Sequence, residues 1–166
     1  MRTRLHRLLL KVYRRVPPPL RLFVVHRMAP SFTVGALCVV EREDGAVLLV
    51  RHSYRQRWGL PGGLLQRGES VVDGVHREAR EEIGLPIQLV SEPTVVVAPR
   101  PRRVDVVYRA RLAPGADPGA VRASSPEIVE IGWFDPEELP ELQHEAAGAL
   151  VTLARATGRA TMRPAS

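Results

Sequence analysis

Apolar and β-branched residues run almost unbroken through residues 32–40 and again through 46–51, and between them lies the turn Glu43-Asp44-Gly45. This pattern predicts two strands joined as a hairpin. Residues 60–65, interrupted by Pro61, Gly62 and Gly63, read as an extended loop or short strand. The period then changes, and a helix is predicted over 71–83. Ser70 is placed to cap it with Asp73 three residues on, Gly84 to close it in a left-handed conformation, and Pro86 to stop it. Strand-like runs follow at 87–97, 104–112 and 128–134, with Pro/Gly-rich connections at 98–101 and 114–119. A last helix is predicted over 141–157, where Leu142, Ala146, Ala149, Leu150 and Leu153 form an apolar face. At the other end, Leu5, Leu8, Leu9 and Val12 stand at helical spacing within residues 2–15, and Pro17, Pro18 and Pro19 are expected to end that helix.

The pattern is therefore strand-rich around one central helix, with no internal repeat. A chain of 166 residues suffices for one domain with a real core. The expected division is a basic, helical N-terminal extension over 1–30, a domain over 31–158 and a flexible tail over 159–166.

Charge sharpens that division. The chain carries a net +6, yet residues 1–30 contain eight Arg and Lys and no acid, which leaves −2 for the rest. Such an arm suits nucleic acid, an anionic membrane or an acidic protein face, and its apolar stripe equally suits packing on its own domain or on a second subunit of a homodimer. Cys38 is the single cysteine and lies in an apolar run, which excludes an intrachain disulfide and a cysteine zinc cluster and predicts a buried thiol. The apolar stretches 8–10 and 22–25 are too short for a membrane span or a signal core, so the expected compartment is cytoplasmic.

The chemistry concentrates on the central helix. Glu78, Glu81 and Glu82 stand at i, i+3 and i+4, three carboxylates on one face within a turn. Like charges at that spacing cost a helix about 0.2–0.5 kcal/mol per pair, and the negative end of the helix dipole adds to the cost. A solvated acidic patch accommodates this, and so does a hard divalent cation such as Mg²⁺. The glycine-containing lead-in Trp58-Gly59-Leu60-Pro61-Gly62-Gly63 favours the cation, because glycines let backbone approach a ligand closely.

Gly63, five residues, Glu69, seven residues, Arg77-Glu78-Ala79, one residue, Glu81-Glu82, one residue and Gly84-Leu85 together resemble the Nudix box at every defining position. The resemblance implies an α/β/α sandwich with a mixed β-sheet, and hydrolysis of a nucleoside diphosphate linked to another moiety. It implies roles as well. Glu78, Glu81 and Glu82 would hold Mg²⁺ or Mn²⁺ with a backbone carbonyl of Gly62 or Gly63, and Glu78 would serve as a ligand or as base. Arg77 would orient Glu78, Glu69 would brace Arg77, and Gly84 would close the helix. An additional carboxylate is expected from Glu127 or Glu130. No covalent nucleophile is needed, and no G-x-S-x-G elbow exists to make Ser70, Ser53 and His52 a serine-hydrolase set. A nucleotide-binding module that does not cleave would be expected to lack box glutamates, and none is missing.

Specificity is carried outside the box. Pro101, sixteen residues after Leu85, resembles the spacing of the ADP-ribose pyrophosphatase subgroup; a nucleoside triphosphate is the other substrate class. Arg51, Arg55, Arg57, Arg100, Arg102 and Arg103 are candidates for phosphate contacts, with solvated surface the alternative for most. Trp58 and Tyr54 could stack on a base, or Trp58 could pack beneath its loop.

Overall fold

The computed structural model describes residues 16–29, 31–156 and 158. The chain divides into two compact units, Met1–Phe32 and Thr33–Ser166. The helix predicted over 2–15 lies outside the described residues. Within the first unit a helix, α1 (Pro18–Met28), begins at the prolines that were expected to end one. Proline suits a first helical turn because the N–H it lacks would have no intrahelical acceptor there. Leu22, Phe23 and Met28 on this helix are exposed.

The second unit contains β1 (Thr33–Val40), β2 (Val47–His52), β3 (Gly62–Leu64), α2 (Val71–Ile83), β4 (Ile87–Leu89), β5 (Thr94–Ala98), β6 (Arg103–Leu112), β7 (Ile128–Phe134) and α3 (His144–Ala156). A five-stranded mixed sheet runs β3-β1-β6-β4, with β5 also paired to β6, and β2 and β7 form a separate antiparallel pair. Both edges of β1 are occupied, antiparallel by β3 and parallel by β6. The predicted β1–β2 hairpin is thereby overturned: among the described residues the two segments share the bridge Glu41↔Val47 and the turn bond from Arg42 N–H to the Ala46 carbonyl, and β2 takes β7 as its partner. The run 87–97 is likewise two strands rather than one, pairing with opposite ends of β6.

Helices on both sides explain why β1 and β2 are apolar at nearly every position. Ala36, Cys38 and Val40 of β1 and Leu48 and Val50 of β2 pack with Val75, Ala79 and Ile83 of α2. The alternate residues Leu37, Val39, Val47 and Leu49 pack with Ala146, Ala149, Leu150 and Leu153 of α3. Full burial of each Val or Ile on α2 contributes about 1.5–3 kcal/mol, so this helix is held by its apolar face while its carboxylates occupy the other. The result is an α/β/α sandwich with a mixed sheet. Among the described residues no helix is long and apolar enough to cross a membrane.

Candidate active site

Local sequence sets the position of α2. Ser70 Oγ accepts from Asp73 N–H at 3.1 Å at the N-terminus, and Gly84 closes the C-terminus with φ 72°. Gly74 stands inside the helix because a Cβ there would lie 2.4 Å from Leu65 Cδ2 and 3.2 Å from Glu69 Oε2. Close packing against the preceding loop thus offsets the propensity cost of about 1 kcal/mol.

Arg77 is the hub of the box. Its Nε and Nη2 donate to the two carboxylate oxygens of Glu69 at 2.7 and 3.0 Å, and Nη1 donates to Glu78 at 2.8 Å and to Glu81 at 3.2 Å. Nη2 also reaches the Leu64 carbonyl at 3.3 Å, tying the helix to β3. Glu69 accepts in addition from Gln66 N–H, and the paired guanidinium holds its carboxyl down at about 2. A planar donor fork of this kind fixes carboxylates in direction as well as in charge.

Glu82 is only 6% exposed. Its Oε2 accepts from Gly62 N–H at 2.8 Å, and its Oε1 lies 3.1 Å from His52 Nε2. Glu78 lies against bare backbone, since a Cβ on Gly63 would come within 2.5 Å of its Oε1. Burial pushes the Glu78 carboxyl above its ordinary value, with Arg77 opposing and Glu82 and Glu81 adding to the shift. The buried Cys38 thiol behind the site is also pushed up, chiefly by desolvation and then by the charges of Glu82 and Glu78.

These groups open onto a cavity of about 460 Å³. Of the residues predicted from sequence, it gathers Gly62, Gly63, Arg77, Glu78, Glu82 and Glu127. Glu81 is 55% exposed and outside the lining, joined to it through Arg77. Glu130 is also outside; it is the cross-strand partner of Arg51 and accepts a hydrogen bond from its guanidinium. Arg51 is therefore held in a surface ion pair rather than at the cavity. Arg57 similarly pairs with Glu141, and Arg102 is exposed in the turn entering β6. Trp58 packs edge-on to Phe134 at 4.8 Å in the core beside α3, so it supports its loop and does not line the cavity.

The cavity also brings in His52, Tyr54, Arg55, Arg103, Gln143 and Glu145. Strand parity could have found His52: it shares the face of Leu48 and Val50, which points to α2. Asp105, an acid on the same face as buried Val107 and itself 3% exposed, is a similar signal, and Arg103 Nε donates to its Oδ1 at 2.7 Å. Gln143 and Glu145 gave no signal, because α3 approaches the site only through the tertiary fold.

Among the described residues no three His, Cys, Asp or Glu side chains are gathered as a closed metal cage. The donor chemistry nevertheless fits a hard cation. Glu78 and Glu82 offer carboxylate oxygens to one cavity beside glycine backbone, and Mg²⁺ is commonly held by one or two carboxylates with water and substrate phosphate.

The family description NUDIX domain matches residues 31–154. A "MutT-like protein" of Streptomyces ambofaciens is 35% identical over 117 residues, covering 70% of this chain and 72% of that protein. The "8-oxo-dGDP phosphatase NUDT18" of Mus musculus is 29% identical over 120 residues, 69% of this chain but only 36% of that longer protein. Among solved structures, an ADP-ribose pyrophosphatase from Streptococcus suis superposes with TM-score 0.61 at 26% identity, covering 80% of this chain and 97% of that one.

Proposed function

The chain belongs to the NUDIX family and is a hydrolase, and from that premise we propose that it cleaves the diphosphate bridge of a nucleoside diphosphate derivative, using a divalent cation held by Glu78 and Glu82. The observation that carries this reading is the convergence of those two carboxylates on one cavity against the backbone of Gly62 and Gly63. Members of this family act on nucleotide-derived substrates and generally use divalent metal ions. When bound, the cation would neutralise phosphate charge and lower the pKa of a water.

The chain's own residues then have distinct tasks. Glu82, fixed between Gly62 N–H and His52, presents a carboxylate that cannot swing away. Glu78, packed against the backbone of Gly63 and opening onto the same cavity, is the carboxylate placed to accept the proton of the attacking water. The new P–O bond forms from that water as the bridging P–O bond breaks, and the second phosphate leaves. Arg77, braced by Glu69, keeps Glu78 aimed. Glu127 lines the same cavity from outside the helix, while Glu81 stands outside the lining and is joined to it through Arg77.

The test is a panel of ADP-ribose, 8-oxo-dGDP, 8-oxo-dGTP, NAD and UDP-sugars, each with Mg²⁺, with Mn²⁺ or with EDTA, assayed for nucleoside monophosphate. ADP-ribose and 8-oxo-dGDP head the panel because similar proteins carry those names and Pro101 has the matching spacing. Cation-dependent monophosphate release is expected from at least one compound. Tight nucleotide binding without any cleavage would instead favour a binding module.

A further inference from the structure

Arg103 has a combination of features that an ordinary surface ion pair lacks. Its side chain is 19% exposed, and its Nε is spent on Asp105 Oδ1. Among the described residues its two Nη nitrogens have no hydrogen-bond acceptor, although Arg103 lines the same cavity as Glu78 and Glu82. The partner carboxylate is deeply buried, and burying an ion pair costs more in desolvation than a well-packed apolar pair would. Backbone has been cleared for the pair as well. Gly35 faces Asp105 across the parallel β1–β6 register, and a Cβ on Gly35 would lie 2.2 Å from Asp105 Oδ1 and 2.9 Å from Arg103 Nη2. The guanidinium therefore lies over the bare backbone of β1.

Its place relative to the carboxylates follows from strand alternation. Gly35 and Ala36 face opposite sides of β1, so Arg103 stands on the α3 side and Glu78 on the α2 side. The cavity joins the two sides around the edge strand β3, where Gly62 and Gly63 have no side chains to close it. A molecule whose phosphate bridge sits at Glu78 and Glu82 would extend over those glycines to meet Arg103.

We propose that Arg103, aimed by buried Asp105 across Gly35, is a phosphate-binding arm of the cavity, its free Nη edge taking the oxygens of a substrate phosphoryl group on the α3 side of the Gly62–Gly63 edge. The arrangement suits this ligand class: a guanidinium fixed through Nε still offers two parallel N–H donors, the geometry that matches phosphate oxygens. The proposal rests on the diphosphate reading of the site.

The experiment is calorimetric binding of ADP, AMP, adenosine and inorganic pyrophosphate in EDTA, so that neither cation nor turnover contributes, to wild type, Arg103→Gln, Arg103→Lys and Asp105→Asn. Wild type should bind ADP more tightly than adenosine. Arg103→Gln should weaken ADP by roughly tenfold to a hundredfold while leaving adenosine unchanged, as expected for loss of a charge-assisted bidentate contact. Arg103→Lys keeps the charge without the fork and should fall between, and Asp105→Asn should weaken ADP with Arg103 still present. Thermal melting of each variant separates these effects from misfolding, and if Arg103→Gln does not fold, Arg103→Lys decides the matter. ADP binding unchanged in the folded Arg103 variants, ADP no tighter than adenosine in wild type, or equal losses for ADP and adenosine would each overturn the proposal. Phosphate-selective binding lost with Arg103 in a protein that hydrolyses nothing would uphold the arm and sink the hydrolase reading; hydrolysis with binding indifferent to Arg103 would do the reverse.

Discussion

Replacing Glu82 by glutamine separates the charge of this carboxylate from its shape. Glutamine keeps an acceptor for Gly62 N–H and turns its NH₂ toward His52, which must then present a bare Nε2 and carry its proton on Nδ1. That change breaks no bond, because among the described residues His52 Nδ1 is buried without a partner. Two charge-assisted hydrogen bonds of about 1.5–3 kcal/mol become neutral ones of about 0.5–1.5, a loss of about 2–3 kcal/mol in all. Against this, the variant no longer desolvates a carboxylate beside Glu78, a penalty of several kcal/mol for a buried ion. In EDTA, Glu82→Gln should therefore be as stable as wild type or up to about 2 kcal/mol more so, which is roughly 5–10 °C in a domain of this size. Mg²⁺ should reverse the order: at a hundred times its Kd it adds about 2.7 kcal/mol to wild type and much less to the variant. Thermal unfolding in EDTA and across a Mg²⁺ titration reads both effects, with turnover of the best panel substrate alongside, expected to fall about a hundredfold or more. A variant more than about 2 kcal/mol less stable in EDTA, equal Mg²⁺ stabilisation of both proteins, or turnover within about threefold of wild type would refute the reasoning.

Gly63→Ala should fold but lose most turnover, because its Cβ would fall 2.5 Å from Glu78 Oε1 and displace the carboxylate; steady-state kinetics and a melting curve separate the two effects. Arg77→Lys keeps one charge but cannot serve Glu69, Glu78 and Glu81 together, and should cost about 2–4 kcal/mol by urea denaturation, with kcat falling further than KM rises. Glu69 is held down at about 2, so its stabilising pair with Arg77 is complete above the ordinary value of 4.5 and is lost as pH falls through about 2. Glu69→Gln should accordingly flatten the acid limb of stability measured against pH. The eight basic residues of 1–30 and the exposed Leu22, Phe23 and Met28 of α1 predict salt-sensitive binding to phosphatidylserine vesicles. Deleting residues 1–30 should abolish that binding, and a full chain that holds RNA but not the vesicles would argue for nucleic acid instead.

The box was legible in the sequence because its parts are local. Ser70, Asp73 and Gly84 act within α2 or one residue beyond it, and the i, i+3, i+4 spacing of Glu78, Glu81 and Glu82 fixes their common face whatever surrounds the helix. Most strand segments were legible too, as with the apolar runs of β1 and β2 buried on both faces, but 87–97 gave no sign of its division into two strands. Strand partners were not. Residues 32–40 and 46–51 read as a hairpin, yet β1 prefers β3 and β6, and only the closed fold shows that both its edges are already taken. The same limit governed the arginines. Arg51, Arg57, Arg102 and Arg103 are equivalent as letters, and only the register that sets Arg51 opposite Glu130 and Gly35 opposite Asp105 distinguishes a surface pair from an arm in the cavity. Capping and helical spacing are set by bonds a few residues long, which the sequence alone determines. Sheet pairing and the meeting of His52 with Glu82, or of Arg103 with the glycine edge, depend on chain closure across many residues, and there the tertiary structure decides which donor finds which acceptor.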